Sequence, residues 1–151
     1  MLGRAGKPST IRPPWAKEES QFVELCSRCD KCIEACEERI LVRADGGFPA
    51  IDFSQGECTF CEKCVEVCPD GAFVAVKGSA PFSHKIKIES DCIVFKGVVC
   101  MVCRDQCEPR AISFTPVVGG LSPPILESDS CNGCGACIAP CPAKAIKVIS
   151  D

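Results

Sequence analysis

Cys58-Thr59-Phe60-Cys61-Glu62-Lys63-Cys64-Val65-Glu66-Val67-Cys68-Pro69 is the stretch that decides the reading of this chain. It follows C-x-x-C-x-x-C-x-x-x-C-P, the spacing of a bacterial-type cubane iron–sulfur ligand loop. Three thiolates at steps of three let one tight loop wrap three corners of a [4Fe-4S] cube. The fourth, Cys68, is expected on the short helix that follows and points away from that cube. In chains that carry two such clusters it ligates the neighbouring one. Pro69 suits the end of that helix, because proline cannot continue the hydrogen-bond ladder. Zinc sites usually space two C-x-x-C pairs about a dozen or more residues apart, often with His. This chain has one His, and three cysteines at steps of three bridge poorly to one another as disulfides.

The same pattern recurs. Quartets start at Cys26, Cys58, Cys92 and Cys131, at intervals of 32, 34 and 39 residues. The first is Cys26, Cys29, Cys32 and Cys36, followed by Glu37 instead of Pro. The second is Cys58, Cys61, Cys64 and Cys68. The third is Cys92, Cys100, Cys103 and Cys107, followed by Glu108-Pro109, and the fourth is Cys131, Cys134, Cys137 and Cys141, followed by Pro142. All 16 cysteines are used and none is left over. The third quartet departs from the rule, since seven residues, Ile93 to Val99, separate its first two cysteines. A longer span can still deliver its thiolate, because loop closure costs only about 0.6 kcal/mol per doubling of length. An empty or labile third site is the alternative.

The flanks repeat as well. Ala50–Phe53, Lys85–Ile88 and Pro124–Leu126 read as strands before a quartet. Ile40–Val42, Ala72–Val76, Ala111–Phe114 and Ala145–Ile149 read as strands after one. All alternate or run apolar over a few residues, as half-buried strands do. The unit is strand, ligand loop, short helix, strand. The expected fold is therefore α+β: small, loop-rich tandem bacterial-type ferredoxin modules, two ferredoxin-like units each built to hold two clusters. Residues 18–78 form the first module and 79–151 the second, with the break at Lys77-Gly78-Ser79-Ala80-Pro81. Asp45-Gly46-Gly47 and Val118-Gly119-Gly120-Leu121-Ser122-Pro123-Pro124 are turn and loop punctuation.

Exchange of the fourth cysteine gives an expected ligand assignment for up to four [4Fe-4S] clusters. Cys26, Cys29 and Cys32 take Cys68, while Cys58, Cys61 and Cys64 take Cys36. In the second module, Cys92, Cys100 and Cys103 take Cys141, and Cys131, Cys134 and Cys137 take Cys107. Gly133 and Gly135 are expected to let the backbone approach the cube closely.

Composition narrows the setting. Cysteine inflates the apolar fraction of 46 %, which falls to about 35 % without it, low for a packed chain. Such a chain is either a secreted disulfide scaffold or a metal protein. Met1–Thr10 carries Arg4 and Lys7 but no apolar core of a signal peptide, and no run approaches the ~18 apolar residues of a membrane span. The expectation is a reducing cytoplasm. The net charge is −3, and each loaded cluster with four thiolates adds about −2, giving about −11 when all are filled. That argues against nucleic acid.

Outside the cysteines nothing is arranged for reaction chemistry. There is no nucleophile elbow, phosphate loop or dinucleotide fingerprint, so no enzyme is expected. His84 reads as an exposed loop residue rather than a ligand. Glu62, Glu66, Asp70 and Glu108 read as solvent-facing charges that help choose a partner. Residues 1–17 form an extended lead. Arg12-Pro13-Pro14-Trp15 has no apolar period and is either an unstructured tail or a partner-docking segment anchored by Trp15, the only Trp. A helix over Glu18–Leu25 is expected to bury Phe22, Val23 and Leu25.

Several stretches carry a resemblance: Ile11-Arg12-Pro13-Pro14-Trp15, Cys26-Ser27-Arg28-Cys29-Asp30-Lys31-Cys32, Gly46-Gly47-Phe48-Pro49, Cys107-Glu108-Pro109 and Cys131-Asn132-Gly133-Cys134-Gly135-Ala136-Cys137. From about Ile11 to the C-terminus the chain resembles the NapF ferredoxin-type family of bacterial periplasmic nitrate reductase systems. In that family Glu commonly follows the first and third quartets. The resemblance implies a cytoplasmic iron–sulfur accessory protein. Its partner would be the catalytic subunit of the periplasmic nitrate reductase, itself a [4Fe-4S] protein, before twin-arginine export. Two functions fit: maturation of that subunit by installing or reducing its cluster, or relay of single electrons to a redox partner. A third reading makes the cubes mere staples of a small core.

Overall fold

The computed structural model describes residues 10–149. Helices α1 (Glu19–Leu25), α2 (Lys31–Ala35), α3 (Lys63–Glu66) and α4 (Val102–Asp105) are all short. The strands are β1 (Leu41–Arg43), β2 (Pro49–Ile51), β3 (Lys85–Ile88), β4 (Ile112–Ser113), β5 (Pro116–Val117), β6 (Gly120–Leu121), β7 (Ile125–Leu126) and β8 (Ile146–Ile149). Helix α1 is too short to offer more than one face to the core. Phe22 is fully buried, but Val23 and Leu25 are 40 % and 39 % exposed, contrary to expectation. The fourth cysteines Cys36, Cys68 and Cys107 follow the helix ends rather than lying within the helices, and residues 136–140 of the fourth quartet form turns.

Strands pair in the links between quartets and, for β3 and β8, around the third and fourth quartets together. β1 pairs antiparallel with β2, with Leu41 opposite Ile51 and Arg43 opposite Pro49. In the C-terminal half, β4 pairs with β7, and β3 pairs with β8 over the register Lys85 to Ile149 through Ile88 to Ile146. The glycine-rich stretch after β5 is a tight hairpin onto β6, turning at Gly119 with φ +86°. Ala72–Val76, expected as a strand, forms only a bridge between Phe73 and Ala16.

That bridge explains the lead. In the C-terminal half, the strand before the third quartet pairs with the strand after the fourth. The equivalent contact in the N-terminal half comes from the lead itself: the Lys17 amide donates to Ala72 O (3.0 Å) and the Val74 amide to Trp15 O (2.8 Å). The Trp15 amide reaches Pro81 O at 2.7 Å and its indole Nε1 reaches Ser79 O at 3.3 Å, so the lead also holds the 77–81 segment. Trp15 is only 6 % exposed, with its ring edge against Phe60. Arg12 clasps Glu19 with two hydrogen bonds of 2.8 and 2.5 Å, donates to Pro49 O, and lies over the rings of Phe22 and Phe48. The Arg12–Trp15 segment is therefore neither a loose tail nor an exposed anchor. Its apolar and charged groups are spent on this chain's own core. Residues 1–9 of the lead lie outside the described residues.

Two small apolar clusters form the core. One gathers Ile40, Leu41, Ile51, Phe53 and Cys64; the other gathers Ile86, Ile112, Cys137 and Ile146. Ile138 packs against both, and Phe82 and Val148 of the C-terminal half pack against the first. Cysteines sit inside both clusters, as expected for a chain with few other core residues.

Candidate metal centres

The ligand loops owe their shape to left-handed residues at fixed places. In the first loop these are Arg28 and Asp30, in the second Phe60 and Glu62, and in the fourth Gly133 and Gly135, with φ between 56° and 79°. Each pair brackets the second cysteine and reverses the chain so that three thiols turn to one side. The third residue after each fourth cysteine is left-handed too: Arg39, Gly71, Arg110 and Lys144. In the third and fourth quartets that turn brings the next amide onto the sulfur. The Ala111 N–H donates to Cys107 Sγ at 3.3 Å and the Ala145 N–H to Cys141 Sγ at 3.4 Å. Such bonds stabilise a thiolate and tune a bound cluster. Sequence reasoning missed this turn, because only Gly71 of the four carries a compositional sign of it.

The third loop uses a different backbone. Ile93–Lys96 forms a 3-10 turn that buries Val94 and is closed by Gly97 at φ +81°, where Val98 N–H bonds back to Ile93 O at 3.1 Å. The insert is a folded spacer. Phe95, Val98 and Val99 on it are at least half exposed.

Four cavities lie among the loops. One is lined by Cys26, Cys29, Cys32 and Cys68, and a second by Cys58, Cys61, Cys64 and Cys36. A third is lined by Cys92, Cys100, Cys103 and Cys141, and a fourth by Cys131, Cys134, Cys137 and Cys107. In every case the fourth thiol comes from the partner loop. All sixteen cysteines are free thiols. Among the described residues, no three Cys, His, Asp or Glu side chains converge closely enough to hold a single metal ion. Four thiols standing apart around a cavity suit a polynuclear cluster between them.

Burial sets the protonation of these thiols. It pushes Cys32, Cys58 and Cys103 up to about 11, Cys64 and Cys137 up to about 12, and raises Cys134. Neighbouring thiolates add to the effect. The third cysteine of every quartet is on this list, since it starts the helix or turn that packs inward. Thiols raised this far stay protonated at neutral pH, so a metal must displace their protons.

The glycines of the fourth loop have a reason the sequence did not disclose. Arg28, Asp30, Phe60 and Glu62 show that the left-handed turn tolerates side chains. At Gly135 a Cβ would fall 2.1 Å from Cδ1 of Phe53, and at Gly133 it would meet His84 Nε2 at 3.0 Å. What approaches these glycines is an aromatic cluster. His84 is accordingly half-buried, not an exposed loop residue: its ring lies 4.5 Å from Phe82 and 5.8 Å from Phe53. Its Nε2 bonds Gly133 O at 3.0 Å, and burial lowers its pKa. Glu62, Glu66 and Glu108 face solvent, whereas Asp70 accepts bonds from the Ser27 amide (2.9 Å) and hydroxyl (2.5 Å) and so ties the second loop's exit to the first loop. Lys63 of the second loop pairs with Glu37 just after the first, and Arg43 on β1 pairs with Asp30 of the first loop.

Comparison with known proteins finds 4Fe-4S ferredoxin-type relatives. Residues 25–72 match the 4Fe-4S dicluster domain and residues 124–147 the 4Fe-4S binding domain. The chain is 44 % identical over 147 residues to the ferredoxin-type protein NapF of Escherichia coli K12, covering 97 % of this chain and 89 % of that protein. It is 47 % identical over 136 residues to NapF of Haemophilus influenzae, covering 90 % and 77 %. A more distant relative is the methylamine utilization ferredoxin-type protein MauM of Methylobacillus flagellatus, 31 % identical over 150 residues, 88 % of this chain and 64 % of that protein. No helix among the described residues is long and apolar enough to cross a membrane. With sixteen free cysteines gathered around four cavities and this similarity along nearly its whole length, the chain belongs to the NapF ferredoxin-type family.

Proposed function

We propose that this chain is a cytoplasmic iron–sulfur accessory protein that matures the catalytic subunit of a periplasmic nitrate reductase before export. The observation that carries the reading is the set of four cavities, each edged by three cysteines of one loop and one of its partner. The proposed cluster ligands are Cys26, Cys29, Cys32 and Cys68; Cys58, Cys61, Cys64 and Cys36; Cys92, Cys100, Cys103 and Cys141; and Cys131, Cys134, Cys137 and Cys107. Residues 18–78 and 79–151 then act as two ferredoxin-like modules with two clusters each. When bound, a [4Fe-4S] cluster supplies one-electron redox chemistry and a store of iron and sulfide. The chain's own part is to hold it. Buried Cys64 and Cys137 keep water from the second and fourth sites, the Ala111 and Ala145 amides support the exchanged thiolates, and the Asp70–Ser27 bonds fix one loop against the other. No residue of the chain is proposed to act as a catalyst.

The nitrate reductase client follows from the family. The maturation reading separates from single-electron relay in one experiment. The catalytic subunit is purified from cells lacking this protein, its iron is counted, and its activity is assayed with an artificial small-molecule donor that bypasses any natural carrier. Maturation predicts low iron and low activity. Normal iron and activity, with only quinol-driven turnover lost, would identify an electron carrier instead. No change in either would remove the client.

A further inference from the structure

We infer that a built joint between the halves holds the second and fourth ligand loops side by side, so that the four sites stand in the spatial order first, second, fourth, third. The inference rests on the reading that the cavities hold clusters. The chain order alone would put the second and third quartets next to each other. Instead the Cys58 amide, in the second loop, donates to Cys134 O, in the fourth, at 2.8 Å. This is a peptide hydrogen bond between one ligand residue of each site.

The joint around it is packed. Phe53 is buried and its ring occupies the space a side chain at residue 135 would need, with Cδ1 2.1 Å from the Cβ position. Phe82 lies edge-on to Phe53 at 6.3 Å and tilted on Phe60 at 6.1 Å, and His84 closes the set onto Gly133 O. Thus Phe60 of the second loop and Gly133 and Gly135 of the fourth belong to one aromatic cluster. Among the described residues the first loop's side-chain hydrogen bonds, ion pair and ring contact stay within the N-terminal half, as does the lining of its cavity, from Phe22 to Phe73. The third site's cavity is lined by residues from Ile88 to Ile146, all in the C-terminal half. Phe53 and Gly135 are therefore positioning residues, which together with the backbone amide of the ligand Cys58 set how close two cofactor sites stand.

The test uses the anaerobically reconstituted full chain, reduced with a europium(II) chelate as one-electron donor and read by electron paramagnetic resonance. A variant with Cys29, Cys32, Cys100 and Cys103 each changed to Ser keeps the second and fourth sites. One with Cys61, Cys64, Cys134 and Cys137 each changed to Ser keeps the first and third. Each is accepted once it carries about eight irons, two cubanes' worth. The first should show a signal split by dipolar coupling and the second two unsplit signals. An unsplit signal from the first, or a split one from the second, overturns the inference. If the variants do not load, hydrogen exchange on the iron-loaded wild type decides. A slowly exchanging Cys58 amide that becomes fast in Gly135→Leu at unchanged iron supports the joint, and fast exchange in the wild type refutes it. A wild type that binds no iron would refute the cluster reading instead.

Discussion

The two halves of this molecule solve one problem with different parts. Each surrounds two cavities with thiols exchanged between two loops, yet the N-terminal half closes its outer edge with a single bridge, Ala16 to Phe73, while the C-terminal half uses the four-residue ladder of β3 and β8. The N-terminal half compensates with side chains: Trp15 under the 77–81 segment and Arg12 clasped between two rings and Glu19. The loops differ likewise. Both N-terminal loops turn on charged or aromatic left-handed residues, the fourth on glycines, and the third on a 3-10 spacer. The thiol cage thus tolerates several backbones. What is held constant is the placing of four sulfurs around a cavity and the left-handed turn after the fourth cysteine.

The strongest way to break the comparison is to remove exchanged ligands. Cys36→Ala should cost the site otherwise edged by Cys58, Cys61 and Cys64, and Cys68→Ala the site of the first loop, each removing about four irons per chain. Site-resolved spectra of the two variants decide. Loss at the residue's own loop would mean that each loop keeps its own four ligands.

Next comes the strap. Trp15→Ala should destabilise the N-terminal half by about 3–5 kcal/mol, the usual cost of deleting a large buried aromatic. Hydrogen exchange should rise around Phe73 while the β3–β8 ladder stays protected. Equal loss in both halves would show that the strap is not local.

The glycines sharpen the loop comparison. Gly135→Val must evict Phe53 and should cost about 3–5 kcal/mol, as for loss of a core Phe. Glu62→Gly, at the matching left-handed place of the second loop, should change stability by no more than about 1 kcal/mol and in the stabilising direction. Denaturant melts of the two proteins compare them directly. A gain from Glu62→Gly as large as the loss from Gly135→Val would place the need for glycine in the turn rather than in the joint.

The smallest effect concerns pH. Burial first, and then nearby Lys85, hold the His84 pKa below its ordinary 6.5, opposed by the Gly133 bond. Neutral His84 therefore contributes stability that is present above 6.5 and is lost as pH falls through the lowered folded value. Its melting temperature should fall more steeply than that of His84→Gln below pH 6.5. Parallel curves would show that His84 does not titrate with folding.

Much of this was legible in the residues. The quartets named every thiol that edges a cavity, because ligand spacing is local, and the flanking apolar runs lay within a few residues of the observed strands except Ala72–Val76, which forms only a bridge. The repeat also held a clue to the lead. Three quartets had a strand before them and the first had none, so something had to take that place. Arg12–Trp15 could not be recognised for it, since prolines hide the strand pattern and an isolated Trp reads as a surface anchor. The joint was invisible for another reason: Phe53 and Gly135 are far apart in sequence, and nothing local in either loop says that a ring from one half fills the missing side chain of the other.

The central claim is that sixteen cysteines hold four cubane clusters. Its most direct test is the iron and acid-labile sulfide content of the anaerobically isolated full chain. The account predicts about sixteen of each per chain, four for every cluster. About eight of each, or zinc in place of iron, would contradict it.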